Sequence, residues 1–205
     1  MMKKIITLCL VVVSISALSQ VKETFLGARF GHLEMDNYDA RNYGGLELDV
    51  QFANNFGIQY SLLSGKNYFH MPMGPAVGLF LGLAIANPTP LNDSTNDRVG
   101  LGVILGLLTA IIPESFSYTI PLNDQFSISP YISPFQLEFI KNEGVEDGDW
   151  HAGLGAGARV HMYFNEHKFR LSPYFEYKMY YAEHIPQGYT YGLNFSARIS
   201  KGRAQ

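Results

Sequence analysis

Segments of strictly alternating polarity recur along this chain and constrain its fold more than any other feature. The clearest begins at Phe169 and reads FRLSPYFEYKMYY. Successive side chains of a strand point to opposite faces of a sheet, so this segment has one apolar face and one charged face. A soluble sheet could bury the apolar face in its core, whereas a closed barrel in lipid would turn it outward. The other segments must decide between the two.

The N-terminus has the features of an export signal, which we predict to span residues 1–19. Two lysines precede an apolar run from Ile5 to Ile15, and Ala17-Leu18-Ser19 forms a small-x-small cleavage site. The run is shorter than the roughly 20 residues that a membrane-spanning helix needs. Residues 20–205 would then form the mature chain, a single domain without cysteine, which excludes disulfides and thiolate chemistry.

Eight alternating segments predict the strands of one antiparallel sheet. They lie at 24–32, 46–52, 56–62, 115–120, 126–139, 150–164, 169–181 and 189–200. Short breaks at 53–55, 122–124 and 165–168 follow every second segment, and the other connections are longer. Short turns on one rim and long loops on the other are typical of outer-membrane barrels. The predicted fold is therefore all-β, an antiparallel, eight-stranded transmembrane β-barrel.

The connection before the fourth segment contains an apolar insert, predicted to span residues 71–113. Its two apolar runs, 76–86 and 99–112, flank a polar link, and neither run alternates in polarity. Both have small residues four apart, a spacing that lets helices pack closely in lipid. These residues are Gly78, Gly82, Gly102 and Gly106. We predict a helical hairpin that leans on the barrel and borders lipid, with two additional strands and a ten-stranded barrel as the alternative.

The last predicted strand carries a more specific pattern. Thr190-Tyr191-Gly192-Leu193-Asn194-Phe195 is similar to the polar-x-Gly-x-x-aromatic signal that barrel assembly machinery reads. Together with the alternation along residues 20–205, it makes the chain resemble the small outer-membrane β-barrel proteins of Gram-negative bacteria, of the eight-stranded OmpA/OmpX kind. This resemblance implies a place in the cell outer membrane, contact with its lipid, and insertion by the assembly machinery, with Gly192 and Phe195 in the assembly signal.

Charged residues on the inward faces are predicted to fill the lumen. An eight-stranded barrel is just wide enough for side chains to fill it, and charges enclosed there must be paired. The predicted polar network consists of Arg29, Glu47, Asp49, Arg159, His161, Arg170, Glu176, Lys178 and Arg198. A structural or surface-interaction protein with a filled lumen is our first functional hypothesis. A narrow, porin-like channel or carrier for a small solute is the alternative.

The sequence provides little evidence for catalysis or for bound cofactors. The sequence has no run of basic residues of the kind that would indicate nucleic-acid binding. His151 and His161 share one face of a strand but lie about 33 Å apart, too far to ligate one metal. His32, His70 and His184 fall near the long loops, but no spacing combines one of them with a serine and a carboxylate. We expect no catalytic residue, metal or cofactor, and keep an outer-membrane lipid-modifying enzyme as the third hypothesis.

Overall fold

A computed structural model of the chain describes residues 20–36, 38–72, 74, 112–144, 147–181 and 187–202. The elements along these residues are all β-strands: β1 (Val21–Met35), β2 (Arg41–Phe52), β3 (Phe56–Gly65), β4 (Tyr68–Pro72), β5 (Ser115–Tyr118), β6 (Ile120–Pro121), β7 (Phe126–Ile140), β8 (Asp149–Phe164), β9 (Phe169–Tyr180) and β10 (Gly188–Lys201). Within the described ranges, no helix has the length and apolar character needed to cross a membrane. The predicted signal segment, 1–19, lies outside them.

The strands form one closed antiparallel sheet. Their order around the sheet is β2-β1-β10-β9-β8-β7-β4-β3, and β3 pairs back with β2. The three short strands β4, β5 and β6 all lie at the same position in the wall, between β3 and β7 or against β7. The ring therefore has eight strand positions, which confirms the predicted all-β, eight-stranded barrel architecture.

The two faces of the wall differ in chemistry as the alternation predicts. The inward face buries charged residues, amides and hydroxyls, including Arg159, Arg170 and Glu47. The outward face exposes large apolar side chains, among them Leu26, Phe30, Leu46, Leu62, Ile132, Phe175, Leu193, Phe195 and Ile199. The core of this molecule is thus polar and its surface apolar, the reverse of a soluble domain.

The turns at 53–55, 122–125 and 165–168 lie at one rim, together with the start of β1 and the end of β10. At this short-turn rim the Ala53 N–H donates to the Gln20 carbonyl at 2.9 Å, and the Arg198 N–H donates to the Lys168 carbonyl at 2.8 Å. Asn55 has a φ of 65°, the left-handed conformation that a tight turn between β2 and β3 requires. The opposite rim carries the longer connections 36–40, 141–148 and 181–187 together with the two-residue turn Lys66-Asn67, and we call it the long-loop rim.

The fourth strand position differs from the prediction. Residues 65–113 are predicted to form one long connection, whereas β3 turns at Lys66-Asn67 directly into β4. Asn67 has a φ of 58° in this two-residue turn. The segment of β4 reads YFHMP, and because His70 is its only polar residue, it has no alternation of polarity from which a strand could be predicted. Met71 and Pro72, predicted as part of the insert, belong to the wall.

The register on β3 indicates that β4 and β5 are two parts of one interrupted strand. Leu63 of β3 pairs with His70, and Gln59 pairs with Ser115. Three β3 residues separate Leu63 from Gln59, so an unbroken strand needs three residues between His70 and Ser115. Those residues are Met71, Pro72 and Glu114. The chain between Pro72 and Glu114 therefore leaves the wall between the rims and returns beside its point of departure.

The predicted packing glycines of the insert lie outside the described residues. These are Gly78, Gly82, Gly102 and Gly106. The described residues at its edges are Pro72, Gly74 and Ile112, and the Ile112 side chain is exposed. The helical hairpin stays a prediction.

The candidate functional site in the barrel lumen

A network of ion pairs crosses the middle of the lumen and joins strands from opposite sides of the barrel. Arg29 on β1 donates to Glu47 on β2 at 3.4 Å and to Glu176 on β9 at 3.3 Å. Arg159 on β8 donates to the same Glu47, and Asn194 on β10 donates to it at 3.0 Å. None of the charged side chains in this network is more than 3% exposed. These side chains have almost no contact with solvent at this level of the barrel.

Aromatic rings complete this central layer. The Arg29 guanidinium lies 4.2 Å from the centre of the Tyr174 ring, and Arg159 lies 4.8 Å from that of Tyr131. Cation–π contacts of this kind stabilise a buried cation in addition to its ion pair. The Tyr174 hydroxyl also lies 2.7 Å from that of Tyr43 on the facing wall.

Glycines of β8 make room for the central layer. A Cβ atom at Gly155 would collide with the Glu176 carboxylate and lie 2.7 Å from Gln136 Nε2. At Gly157 it would lie 2.8 Å from the Tyr131 ring. Any larger residue at these positions would displace the network, so these two glycines have a packing role.

Toward the short-turn rim the lumen contains the ion pair between Arg170 and Asp49 and many hydroxyl groups. Arg170 Nη1 lies 2.6 Å from Asp49 Oδ2, and its guanidinium covers the ring of the fully buried Phe25 at 4.2 Å. His161 lies between Ser172 at 2.7 Å and Ser129 at 2.9 Å. Two hydroxyls are neutral partners, so this histidine is held as a hydrogen-bonding group.

Toward the long-loop rim a second charged cluster centres on Glu138. Its carboxylate accepts hydrogen bonds from Tyr68 at 2.8 Å and from Lys178, and it lies 3.0 Å from His70 Nδ1. The other ring nitrogen of His70 lies 3.1 Å from Glu114. The imidazole therefore bridges two carboxylates from different strands.

Glu114 also replaces a missing strand neighbour. At the break between β4 and β5, the Ser61 backbone N–H of β3 has no adjacent strand residue with which to pair. The Glu114 carboxylate accepts a hydrogen bond from this N–H at 2.7 Å and another from the Ser61 hydroxyl. A buried N–H without a partner is costly, so this side chain stabilises the wall where the insert interrupts it.

The structure places the sequence-predicted residues as follows. Arg29, Glu47, Asp49, Arg159, His161, Arg170, Glu176 and Lys178 all lie inside the barrel, nearly or fully buried. Arg198 pairs with Glu23 at 2.9 Å close to the short-turn rim, away from the central layer. Gly192 lies against the Tyr174 hydroxyl, and the exposed Phe195 stacks on Phe169 at 6.0 Å on the outer face.

The two candidate histidines that the structure describes, His32 and His70, do not share a site. His32 is half-exposed and contacts Asn42 at 2.8 Å, whereas His70 is enclosed in the lumen. His184 lies outside the described residues. Ser61 Oγ lies 3.4 Å from His70 Nε2, but both groups are buried inside the wall. In the described part of the chain, no group of three histidine, cysteine or acidic residues could hold a metal ion.

Sequence reasoning missed several residues of this site, among them Glu114, Ser61, Tyr43 and Tyr174. Glu114 and Ser61 face each other only because the chain returns to the wall beside β3, and no local pattern reports that. Tyr174 lies on a predicted segment and Tyr43 lies just before one, but aromatic residues occur on both faces of the wall. The inward phase that Tyr43 shares with Glu47, and Tyr174 with Arg170, could have identified the two tyrosines.

Comparison with known proteins yields structural similarity only. No protein-family model matches the sequence, and no curated protein matches it. The fold is similar to Ail, the attachment invasion locus protein of Yersinia pestis, with 12% identity over 89% of this chain and all of that one, and a TM-score of 0.44. It is also similar to the N-terminal β-barrel domain of Pseudomonas aeruginosa OprF, with 9% identity, coverage of 86% and 99%, and a TM-score of 0.47. A third similar structure is the KdgM porin, with 12% identity, coverage of 83% and 98%, and a TM-score of 0.25.

Proposed function

We propose that this chain is an outer-membrane β-barrel protein with a closed lumen and a structural or surface-interaction role. The observation that carries the proposal is the central layer, in which Arg29 and Arg159 both pair with Glu47 and all three side chains are almost completely buried. The apolar outer face supports the membrane location, because such a surface requires lipid around it. With the bore filled, interactions with other molecules fall to the rims.

The experiment for this proposal is a conductance measurement on the refolded mature chain in planar bilayers. A lumen closed by ion pairs should give no stable channel openings. Steady single-channel currents from the unaltered protein would reject the closed lumen. Retention of the folded, heat-resistant form on detergent gels establishes that the protein tested is the barrel.

A narrow channel or carrier for a small solute is the second candidate, and one feature favours it. The side-chain amide nitrogen and oxygen of Gln59 are both buried without a hydrogen-bond partner. Small hydroxyl side chains surround the same half of the lumen: Ser115, Ser117, Thr119, Ser127, Ser129, Ser172 and Ser196. This half could therefore accommodate water, and the same conductance measurement separates the two candidates.

The insert is proposed to be a membrane-embedded helical hairpin. Because β4 ends and β5 begins between the rims, the chain would leave the wall near the middle of the hydrocarbon layer. As helices, the apolar runs 76–86 and 99–112 would extend about 16 Å and 21 Å at 1.5 Å per residue. Half of a hydrocarbon layer is about 15 Å. Each run would then suffice to carry the polar link to one membrane surface.

A further inference from the structure

Arg41 differs from the other buried arginines of the described chain. Arg29, Arg159, Arg170 and Arg198 each form an ion pair with a carboxylate. Arg41 is 6% exposed and has no such pair among the described residues. A buried cation without a counter-ion is unfavourable unless an anion reaches it.

The contacts of Arg41 tie three connections of the long-loop rim together. Its Nε donates to the carbonyl of Asp39 at 2.9 Å, before β2. Its Nη1 donates to the carbonyl of Asn67, between β3 and β4, and to that of Lys141, after β7, at 3.0 and 3.2 Å. Its Nη2 is buried and has no partner. Neutral carbonyls thus fix the guanidinium in place and leave one of its donors without a hydrogen-bond partner.

Arg41 is one of the residues that line a cleft of about 220 Å³ at the long-loop rim. Arg41, Lys66 and Lys141 contribute its positive charges, and Asp39 and Glu143 its negative ones. Lys66 donates to Glu143 at 2.5 Å, and this hydrogen bond raises the pKa of Lys66, so the ammonium stays charged. Both side chains of this pair are well exposed, and exposed pairs are weak. An incoming anion can therefore displace Glu143 from Lys66.

We propose that this cleft binds a multiply charged oxyanion, a phosphate or sulfate group, between Arg41, Lys66 and Lys141. A guanidinium is suited to oxyanions because its planar donors match their geometry. The site is preorganised, because Arg41 is already held by three carbonyls before any ligand arrives. The inference rests on the proposed surface-interaction role and names the chemistry of the partner.

Titration calorimetry with inorganic tripolyphosphate, on the mature chain refolded in detergent, tests the site. The double variant Lys66→Gln/Lys141→Gln removes two charges and leaves the main-chain carbonyls that hold Arg41. We expect it to weaken binding about ten-fold or more, the loss of roughly 1.4 kcal/mol. Lys168→Gln, at the opposite rim, is the control and should bind as the unaltered protein does. No binding by the unaltered protein, or equal loss in the control, would overturn the site.

Glu143→Gln provides a test of opposite sign. Removing the carboxylate that competes for Lys66 should tighten tripolyphosphate binding. Asp147→Asn removes one negative charge from the same connection without lining the cleft, and it should change affinity less. If the two variants have equal effects, binding reflects net charge only, and the site is rejected.

Two further measurements on the Lys66→Gln/Lys141→Gln variant distinguish between a lipid headgroup and a soluble molecule as the source of the oxyanion. A loss of phosphate-bearing lipid that copurifies with the barrel identifies a headgroup in the same membrane. A loss of binding of a soluble sulfated polysaccharide to intact cells identifies a ligand from outside. If neither quantity changes, the cleft has no such ligand. These outcomes are independent of conductance, so failure of this site is distinguishable from failure of the closed-lumen proposal.

Discussion

Glu176 connects two parts of the lumen through one carboxylate. One oxygen accepts a hydrogen bond from Arg29 at 3.3 Å, and the other accepts one from Gln136. The side chain is 1% exposed, so water cannot replace it if it is removed. Its effect on stability should therefore be much larger than that of an exposed acidic residue.

We expect Glu176→Ala to destabilise the barrel by about 3–5 kcal/mol, because it removes one carboxylate partner of a buried cation. The measurement is the temperature at which the folded band is lost on detergent gels. Asp147→Ala, an exposed acidic residue on the β7–β8 connection, is the control and should change little. Equal loss of heat resistance in both variants would instead indicate a wet lumen in which charges are screened.

At the scale of elements, the interrupted strand is the unusual feature of this barrel. Glu114 closes the wall at the break by binding the Ser61 N–H and hydroxyl, and His70 connects it to the Glu138 cluster. The break lies beside Pro134, where the pairing of β7 with β8 also shifts in register. Proline cannot donate to a ladder, which explains why pairing is weakest there.

We expect a chain without residues 73–113 that also carries Glu114→Leu to fold. Joining position 72 to position 114 makes one continuous strand in register with β3, and the period of two then turns position 114 to the apolar outer face. The measurement is the heat-modifiable shift of the folded form on detergent gels. A deletion of 73–114 is the matched control, because it removes one more residue and so turns every side chain of β5 to the opposite face. Failure of the first deletion, or success of both, would contradict the interrupted-strand interpretation.

The proposed membrane hairpin makes a prediction about thiol access. Single substitutions Phe80→Cys, Ile104→Cys and Ser94→Cys can be made in residues 20–205, which contain no cysteine. In intact outer membranes, a water-soluble thiol reagent should label position 94 readily and positions 80 and 104 poorly, because the apolar runs would lie in lipid. Ready labelling at 80 and 104 would show that the insert is in water and reject the hairpin.

The molecule as a whole has two different rims. The short-turn rim has the turns at Asn55 and Asn165, the start of β1 and the end of β10, whereas the long-loop rim has the cleft lined by Arg41. In the proposed outer-membrane orientation, the short-turn rim faces the periplasm. The candidate binding surface would then be on the outside of the cell.

This orientation can be tested with one cysteine on each rim. Lys66→Cys on the long-loop rim should react with an impermeant thiol reagent added to intact cells. Asn123→Cys on the short-turn rim should react only after the outer membrane has been opened. Both positions are exposed, so a difference in labelling reports the side of the membrane. Labelling of position 123 alone in intact cells would reverse the proposed orientation.

The sequence by itself determined the class of fold, the inward and outward faces, and the rim on which the short turns lie. Arg159 and Leu193 could be assigned to faces because side-chain direction follows a period of two, a local property of the backbone. The turn at Asn55 could be located for the same reason, since the conformational preference of asparagine is local. Wherever the alternation was long enough to be recognised, the strand was predicted.

Only the tertiary structure decided which charges meet and where the insert joins the wall. The bond between Ser61 and Glu114 connects residues 53 positions apart in the chain, and that between Arg29 and Glu176 spans 147. Such contacts depend on the closure and register of the whole ring, which no single segment encodes. The five-residue β4 belongs to the wall because its neighbours β3 and β7 supply its hydrogen bonds, and its own sequence is too short to reveal it.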